Sequence, residues 1–211
     1  MTTHLSQLTE EDITQRLATA SDIPVDGPYP QELLKSQLRA AAVLIPLARI
    51  DNSWHLVLIR RAEHSEDMHS GQVAFPGGGA HPTDPDSETT ALREAEEEIG
   101  LKPLDVRIVG KLNSFVTISS YLVTPIVGII PWPYAFTLDR YEVSRVFTVP
   151  LDWLGDSSNY ETRHRELPAP YPPISVIYYK PYDGEVLWGA SARFTVGLID
   201  ILNNKPAREV L

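Results

Sequence analysis

Three glutamates stand close together in the segment REAEEEIGL, residues 93 to 101. Glu94, Glu97 and Glu98 are spaced i, i+3 and i+4, so a helix would bring their carboxylates to one side. Carboxylates on one helix face repel each other by about a few tenths of a kcal/mol per pair, even in solvent. Mg²⁺ binds carboxylate oxygens, and substrate phosphates commonly complete its ligand shell. The spacing therefore indicates either a solvated acidic face or a metal site for phosphate chemistry.

The segment that holds these glutamates is predicted to be a helix over residues 86 to 99. Leu92, Ala95 and Ile99 fall on one side of the helical wheel, nearly opposite the glutamates. Gly100 follows directly, and glycine is the residue type that most readily ends a helix in the left-handed conformation. The pattern predicts an amphipathic helix with an acidic side.

A glycine-rich segment, GQVAFPGGG at residues 71 to 79, precedes this helix. Pro76 followed by three glycines predicts a chain that turns tightly and lies close to a ligand. A strand, a glycine loop and a helix with clustered carboxylates together form a compact site for a metal ion and phosphates. This context favours the metal interpretation and makes Gly77 and Gly78 candidate substrate contacts.

The composition limits the function classes. The 211 residues fit one domain with extensions, and 43% hydrophobic and 22% charged residues are ordinary values for a globular protein. The chain has no cysteine, which excludes disulfides, thiolate metal sites and cysteine nucleophiles. A net charge of −10 argues against nucleic acid as a partner, and an anionic small-molecule substrate then requires local Lys, Arg or metal ions.

The sequence does not lead us to expect a membrane or export signal. Its first segment, MTTHLSQLTEEDITQRL, is polar and acidic, unlike a secretory signal. Its apolar runs fall short of the roughly 18 residues that cross a bilayer. We therefore expect a cytoplasmic protein with no membrane partner.

The acidic helix is predicted to lie among mixed strands and a few further helices. Runs rich in Val, Ile and Leu predict strands at residues 39–50, 53–62, 106–112, 121–130, 144–151, 175–180 and 185–188. Helical patterns predict helices or helical turns at residues 8–20, 31–38, 151–154 and 190–204. Residues 63–72 and 76–86 are predicted loops. The order favours an α+β fold with one central helix that carries the chemistry.

The segment REAEEEIGL resembles the second half of the box of the Nudix hydrolases, R-E-U-x-E-E-x-G-U, in which U is apolar. Gly79 stands where the box begins. The one departure is the early glutamate of the box, eight residues before Arg93, where this chain has Pro85 between Asp84 and Asp86.

A longer stretch, FPGGGAHPTDPDSETTALREAEEEIGL at residues 75 to 101, is similar to the coenzyme A pyrophosphatase branch of that family. The similarity extends over about residues 38 to 203. Gly79 replaces the usual lysine and His81 the usual aspartate, and the segment EHSEDM at 63 to 68 lacks the arginine of the branch. These departures concern substrate recognition and leave the metal chemistry unchanged.

The resemblance implies a fold and a cofactor. The fold is a Nudix-like mixed β-sheet sandwiched between helices, an α/β/α sandwich, over residues 38–211, with residues 1–37 as a helical N-terminal extension. The cofactor is Mg²⁺ or Mn²⁺, held by Glu94, Glu97 and Glu98 with the backbone carbonyl of Gly78.

Four residues are the predicted catalytic set: Arg93, Glu94, Glu97 and Glu142. Arg93 lies four residues before Glu97 and is expected to pair with it and orient it. Members of the resembled family use as general base either a box glutamate or a distal loop glutamate. Glu142, in RYEVSRVF, is the distal candidate, and a plain surface charge is the competing interpretation.

Two arginines are candidate contacts for the substrate phosphates. Arg60 and Arg61 are neighbours on a predicted strand, so their side chains point to opposite faces and only one of them can reach a cleft.

The resemblance implies hydrolysis of coenzyme A or acyl-coenzyme A to adenosine 3′,5′-bisphosphate and 4′-phosphopantetheine or its acyl derivative. The same chemistry on another nucleoside diphosphate derivative, such as ADP-ribose or a dinucleotide, is the alternative. A Nudix-like binding domain without turnover is a third interpretation, and residues 1–37 are a candidate arm for a homodimer.

Overall fold

The two long strands at the start of the domain form a hairpin, as predicted. In the computed structural model, which describes residues 4–19, 28–34, 37–64 and 70–205, β1 (Arg39–Ile50) pairs antiparallel with β2 (Ser53–Arg61). The turn between them holds Asp51 and Asn52 at φ angles of 47° and 63°. Two consecutive left-handed residues match the right-handed twist of the strands, which explains the tight reversal.

The other strands of the described residues are β3 (Val73–Ala74), β4 (Gly77–Gly79), β5 (Arg107–Lys111), β6 (Phe115–Val116), β7 (Tyr121–Ile130), β8 (Val143–Pro150), β9 (Tyr160–Arg165) and β10 (Ile174–Tyr179). The α-helices are α1 (Glu10–Ala18), α2 (Ser87–Ile99), α3 (Leu151–Gly155) and α4 (Gly189–Leu202), with 3₁₀ turns at Leu5–Gln7, Gln31–Leu33, Pro103–Asp105 and Ser157–Asn159.

One mixed sheet organises these elements. Its strand order is β3-β2-β1-β7-β5, and the central pair β1–β7 is parallel over the length of both strands. β4 pairs with β1, β6 with β7 and β8 with β2, while β9 and β10 form a separate two-stranded sheet. The start of β1 therefore lies between β4 and β7, in the middle of the sheet.

Helices cover both faces of this sheet. Leu44 of β1 packs on one face in a core with Ala91 and Ala95 of α2. Alternate residues of β1 point the other way, and Ile45 belongs to a second core that includes Leu198 of α4. The predicted α/β/α sandwich is confirmed.

The segment before β1 contributes to the second core. Thr9 caps α1 through a reciprocal capping box with Asp12, as the sequence favours. Ile13 and Leu17 of this helix are buried. The Trp54 Nε1 donates to the backbone carbonyl of Leu8 at 2.7 Å. The division of the chain after residue 37 stays a prediction.

Four expectations about the secondary structure were wrong. The helix expected at 31–38 is a single turn, Gln31–Leu33, with residues 35–36 outside the described part. The glycine segment expected as a loop forms β4, because its backbone pairs with β1. The strand expected at 185–188 is reduced to isolated bridges. β9 was missed because nearly all of its side chains are exposed and show no apolar alternation.

None of the described helices is long and apolar enough to span a membrane.

Candidate active site

The glycines of β4 let the chain pass directly beneath α2. Gly77 has a φ angle of 155°, and a Cβ atom there would lie 2.4 Å from the Ala42 carbonyl oxygen. At Gly78 a Cβ atom would lie 2.6 Å from the carboxyl carbon of Glu94. The Glu94 carboxyl group therefore rests on bare backbone, which requires glycine at this position.

Helix α2 begins and ends at the predicted residues. The Asp86 carboxylate accepts the Thr89 N–H at 2.8 Å, and Gly100 ends the helix at a φ angle of 68°. The helix keeps the glutamates on one side, as the helical wheel predicts, but this side is not uniformly exposed. Glu98 is only 2% exposed, because β4 covers the part of the helix on which it lies.

The buried Glu98 carboxyl group lies beside a backbone N–H group and a guanidinium group. Its Oε2 accepts the Gly77 N–H at 2.9 Å, and its Oε1 lies 3.7 Å from the Arg61 guanidinium. Burial raises the pKa of Glu98 to about 8, against the opposing effects of the Gly77 N–H and Arg61. The nearby charges of Glu142 and Glu94 raise it further.

The Arg93 guanidinium holds the other two glutamates. Its Nη1 donates to Glu94 Oε1 and to Glu97 Oε2, each at 2.9 Å. The predicted pairing of Arg93 with Glu97 is therefore present. Burial raises the pKa of Glu94, whereas the Glu97 side chain is 60% exposed. The three glutamates thus form a gradient from a buried carboxyl group to a solvated one.

Asp84 fixes the other side of Arg93. Its Oδ2 accepts Arg93 Nη2 at 2.9 Å, and it also accepts the His81 N–H and the Thr90 hydroxyl. The hydrogen bonds from Arg93 hold the pKa of Asp84 well below its usual range. Arg93 Nη2 also donates to the Gly79 carbonyl at 3.0 Å, which ties α2 to the end of β4.

Sequence reasoning did not include Asp84 among the site residues. The early glutamate of the box would stand at Pro85, and Asp84 is the acid one position earlier. An acidic residue next to the expected position was the signal in the sequence that could have identified this site residue. In the structure, Asp84 contacts Arg93.

Glu142 lies in the turn before β8 and is exposed. Its backbone carbonyl accepts the Ala62 N–H at 2.8 Å, which anchors the turn beside β2. The preceding loop is tied to α2, since Asp139 N–H donates to the Glu98 carbonyl at 2.9 Å. The charge of Glu142 raises the pKa of both Glu94 and Glu98. The distal candidate base is therefore within electrostatic reach of the carboxylate cluster.

The two arginines of β2 point in different directions, as the strand geometry predicts. Arg61 approaches Glu98 and lines a cavity beside β4. Arg60 pairs with Glu63 at 2.7 Å and with Glu185 at 3.3 Å and is not part of the cavity wall.

Comparison with known proteins identifies the family of this chain. Residues 38–169 match the model of the NUDIX domain. A protein from Yersinia pestis (strain Pestoides F) named "Uncharacterized Nudix hydrolase NudL" is 41% identical over 157 residues, which cover 73% of this chain and 75% of that protein. A protein of the same name from Yersinia pseudotuberculosis (serotype O:1b, strain IP 31758) matches equally well. This chain belongs to the Nudix family.

Membership of the Nudix family makes the protein a pyrophosphohydrolase, and Nudix hydrolases generally use divalent metal ions. A solved structure of a Nudix hydrolase from Alicyclobacillus acidocaldarius shares the fold. The two chains are 18% identical and superpose with a TM-score of 0.52. The match covers 80% of this chain and 95% of the Alicyclobacillus chain.

The carboxylates that hold the metal in a Nudix hydrolase must be able to bind a hard cation. Among the described residues, no three Asp, Glu or His side chains lie in an arrangement that could hold a metal ion as they stand. The donor chemistry nevertheless fits a divalent ion. The half-buried Glu94 and the buried Glu98 both pack against β4, and both have raised pKa values that an added positive charge would lower.

A cavity of about 390 Å³ lies beside the same glycine strand, on the sheet face that carries α4. Gly77, Gly78 and Gly79 line it, together with Arg61. The backbone of β4 thus separates two compartments, with the carboxylates of α2 on one side and an open cavity on the other.

We predict that Gly78→Ala disrupts the Nudix carboxylate cluster whereas Gly79→Ala does not. The added methyl group at Gly78 must displace the Glu94 carboxyl group, while at Gly79 its nearest neighbour is a Tyr121 ring atom at 3.9 Å. We expect Mn²⁺ affinity, measured by calorimetry, to fall by about tenfold or more in Gly78→Ala and to stay close to wild type in the matched Gly79→Ala variant. Equal effects of the two substitutions would contradict this geometry.

We predict that Glu98 destabilises the metal-free protein at alkaline pH. Its folded pKa of about 8 exceeds its ordinary value of 4.5, so between these values the folded chain retains a proton that the unfolded chain has lost. The free energy of unfolding therefore falls as pH rises through this window. Glu98→Gln removes this loss and still accepts the Gly77 N–H.

Thermal unfolding in the presence of EDTA tests the pH prediction. At pH 8, Glu98→Gln is expected to melt at least about 2 °C above wild type, and the difference should shrink towards pH 4.5. The exposed Glu97→Gln is the control and should show a smaller, less pH-dependent change. A difference in melting temperature that stays constant over the whole pH range would refute the assigned environment of Glu98.

Proposed function

We propose that the protein hydrolyses the pyrophosphate bond of coenzyme A or acyl-coenzyme A in a metal-dependent reaction. The products are adenosine 3′,5′-bisphosphate and 4′-phosphopantetheine or its acyl derivative. The similarity of residues 75 to 101 to the coenzyme A pyrophosphatase branch supports the substrate class. The observation that carries the chemistry is the placement of Glu94 and Glu98 against the bare backbone of β4.

In this proposal Glu94, Glu97 and Glu98, with the backbone carbonyl of Gly78, hold Mg²⁺ or Mn²⁺. The bound ion supplies neutralisation of the diphosphate charge and lowers the pKa of water. Carboxylates and carbonyls are the ligands that these ions prefer. The exposed Glu97 is the most accessible of the three side chains to a substrate and its ion.

Other residues orient the carboxylates, contact the diphosphate or transfer a proton. Arg93 holds Glu94 and Glu97 in place, and Arg61 lies where it can meet a diphosphate oxygen at the edge of β4. Glu142 is the candidate general base, because its charge reaches the cluster and its side chain is exposed. It takes a proton from the attacking water as the bond between the bridging oxygen and phosphorus breaks. Glu97 is the second candidate base.

A second candidate function is the same hydrolysis of ADP-ribose or a dinucleotide. The missing arginine in residues 63 to 68 favours it, since that residue is part of the coenzyme A signature of the branch. A binding domain without turnover is less favoured, because all three box glutamates are retained.

We further propose a cytoplasmic location and a small-molecule nucleotide as the partner, in preference to nucleic acid. The net charge of −10 supports the last point. A homodimer stays a prediction.

Hydrolysis of coenzyme A and of ADP-ribose, with Mg²⁺ and with EDTA, tests the proposed function. We expect Mg²⁺-dependent cleavage with a higher kcat/KM for coenzyme A, and a loss of about 100-fold or more in Glu97→Gln. Glu96→Gln is the matched control, because Glu96 is one residue away but pairs with Lys102 at 2.8 Å on the surface. Its activity should stay close to wild type.

Three outcomes of this assay overturn parts of the proposal. A higher kcat/KM for ADP-ribose selects the second candidate. Full activity in EDTA contradicts metal dependence. Full activity in both Glu97→Gln and Glu98→Gln shows that the metal ligands are assigned to the wrong residues.

A further inference from the structure

The cavity beside β4 has a floor that crosses four strands. Gly79 pairs with Ala41, Ala41 with Val123, and Val123 with Phe115, and all four residues line the cavity. Three steps between strands span about 14 Å. One end of the floor is the glycine strand β4, against which the carboxylates of α2 pack from the other side. The Phe115 end is therefore too far away to contact a diphosphate bound at that strand, but a nucleoside attached to the diphosphate can reach it.

The charge of the cavity wall is opposite to that of the protein. Acidic residues outnumber Lys and Arg by 28 to 18 in the whole chain. Among the described residues that line the cavity there are three arginines, Arg61, Arg165 and Arg193, and no Asp or Glu. A wall of this composition in an acidic protein attracts an anionic ligand.

Arg193 is built into the Phe115 end of the cavity. It is the fifth residue of α4, and its guanidinium carbon stands 4.9 Å from the centre of the Phe115 ring. Phe115 in turn packs edge-to-face against Phe194 with ring centres 6.1 Å apart. Burial lowers the pKa of Arg193, so the structure holds a charged group where solvation is reduced. A guanidinium in such a place binds a phosphate more strongly than one in open solvent.

Arg165 approaches the same end from a different element. It is the last residue of β9 and makes no ion pair with a carboxylate in the described part of the chain. Tyr29 also lines the cavity, and the charges of Arg165 and Arg193 both act on its phenol, opposing the rise in its pKa that burial causes. Both arginines therefore act on the same region of the cavity, around Tyr29. They lie far from Arg61 in the sequence.

We infer that the Phe115 end of this cavity binds a sugar phosphate of the substrate, separate from the scissile diphosphate, through Arg193 and Arg165. The ligand class is a nucleoside 5′-diphosphate derivative that carries a further phosphate on its ribose. The aromatic wall of Phe115 and Phe194 suits the attached base. The inference rests on the proposed function for the position of the diphosphate, and it assigns the residues that select the substrate.

This assignment also accounts for the departure at residues 63 to 68. The chain lacks the arginine that the branch carries there, and Arg193 and Arg165 supply positive charge to the cavity. Two guanidinium groups at one end of the cavity favour a ribose phosphate over a hydroxyl group, because the phosphate accepts charge-assisted hydrogen bonds and carries the complementary charge.

Ligand binding tests the inference without requiring turnover. We expect the protein with Mg²⁺ to bind adenosine 3′,5′-bisphosphate at least about tenfold more tightly than adenosine 5′-monophosphate in calorimetry. The ratio should fall to about threefold or less in Arg193→Met, which keeps a long apolar side chain against Phe115, and also in Arg165→Gln. Arg193→Lys should restore part of the preference because it restores the charge.

Arg163→Met is the matched control. Arg163 lies on the same strand as Arg165, but it pairs with Glu161 and its guanidinium stands 4.5 Å from the centre of the Tyr178 ring. This variant loses the same charge and should keep the full preference. A wild-type protein that binds the two nucleotides equally, or a preference that survives in both Arg193→Met and Arg165→Gln, would overturn the inference.

Comparison of kcat/KM for coenzyme A and 3′-dephospho-coenzyme A separates this inference from the proposed function. The wild type is expected to favour coenzyme A by about tenfold, and Arg193→Met should lose this preference mainly through KM for coenzyme A. If neither compound is cleaved while the binding preference holds, the proposed substrate fails and the inferred phosphate site stands. If both are cleaved at equal rates, the phosphate site fails and the hydrolase function stands.

Discussion

The packing of one buried and one half-buried carboxyl group against a strand without side chains is the constraint on which the site depends. Glu94 lies on the backbone of Gly78, and Glu98 accepts the N–H of Gly77. Neither group is fully compensated by the nearby arginines, since burial raises the pKa of both. A divalent cation is the simplest way to compensate such a pair, because its charge offsets both the burial and the repulsion.

The glycine strand also couples the carboxylates to substrate recognition. Arg93 joins the Gly79 carbonyl to Asp84 and to the glutamates of α2, so the end of β4 and the helix are held as one unit. The other side of the same backbone borders the cavity that ends at Arg193. A ligand that fills the cavity therefore lies against the strand that positions the carboxylates. The carboxylate cluster and the cavity therefore share one structural element, the strand β4.

The local features of the helix and the box could be predicted from sequence, because they depend on residues close together in the chain. The left-handed Gly100 and the pairing of Arg93 with Glu97 are of this kind. The burial of Glu98 could not, because it depends on where β4 lies over the helix. The placement of Arg193 and Arg165 in the wall of one cavity could not be predicted from the sequence either, since it requires the packing of α4 against the separate β9–β10 sheet.

Titration of Mn²⁺ into EDTA-treated protein at pH 7, by calorimetry in buffers of different ionisation enthalpy, tests the central claim most directly. With the pKa of Glu98 at about 8 before the ion binds, the account predicts binding accompanied by release of close to one proton per site. It also predicts that Glu98→Gln binds more weakly and releases fewer protons. Binding without proton release, or unchanged binding in Glu98→Gln, would contradict the claim that this buried carboxyl group is part of the cation site.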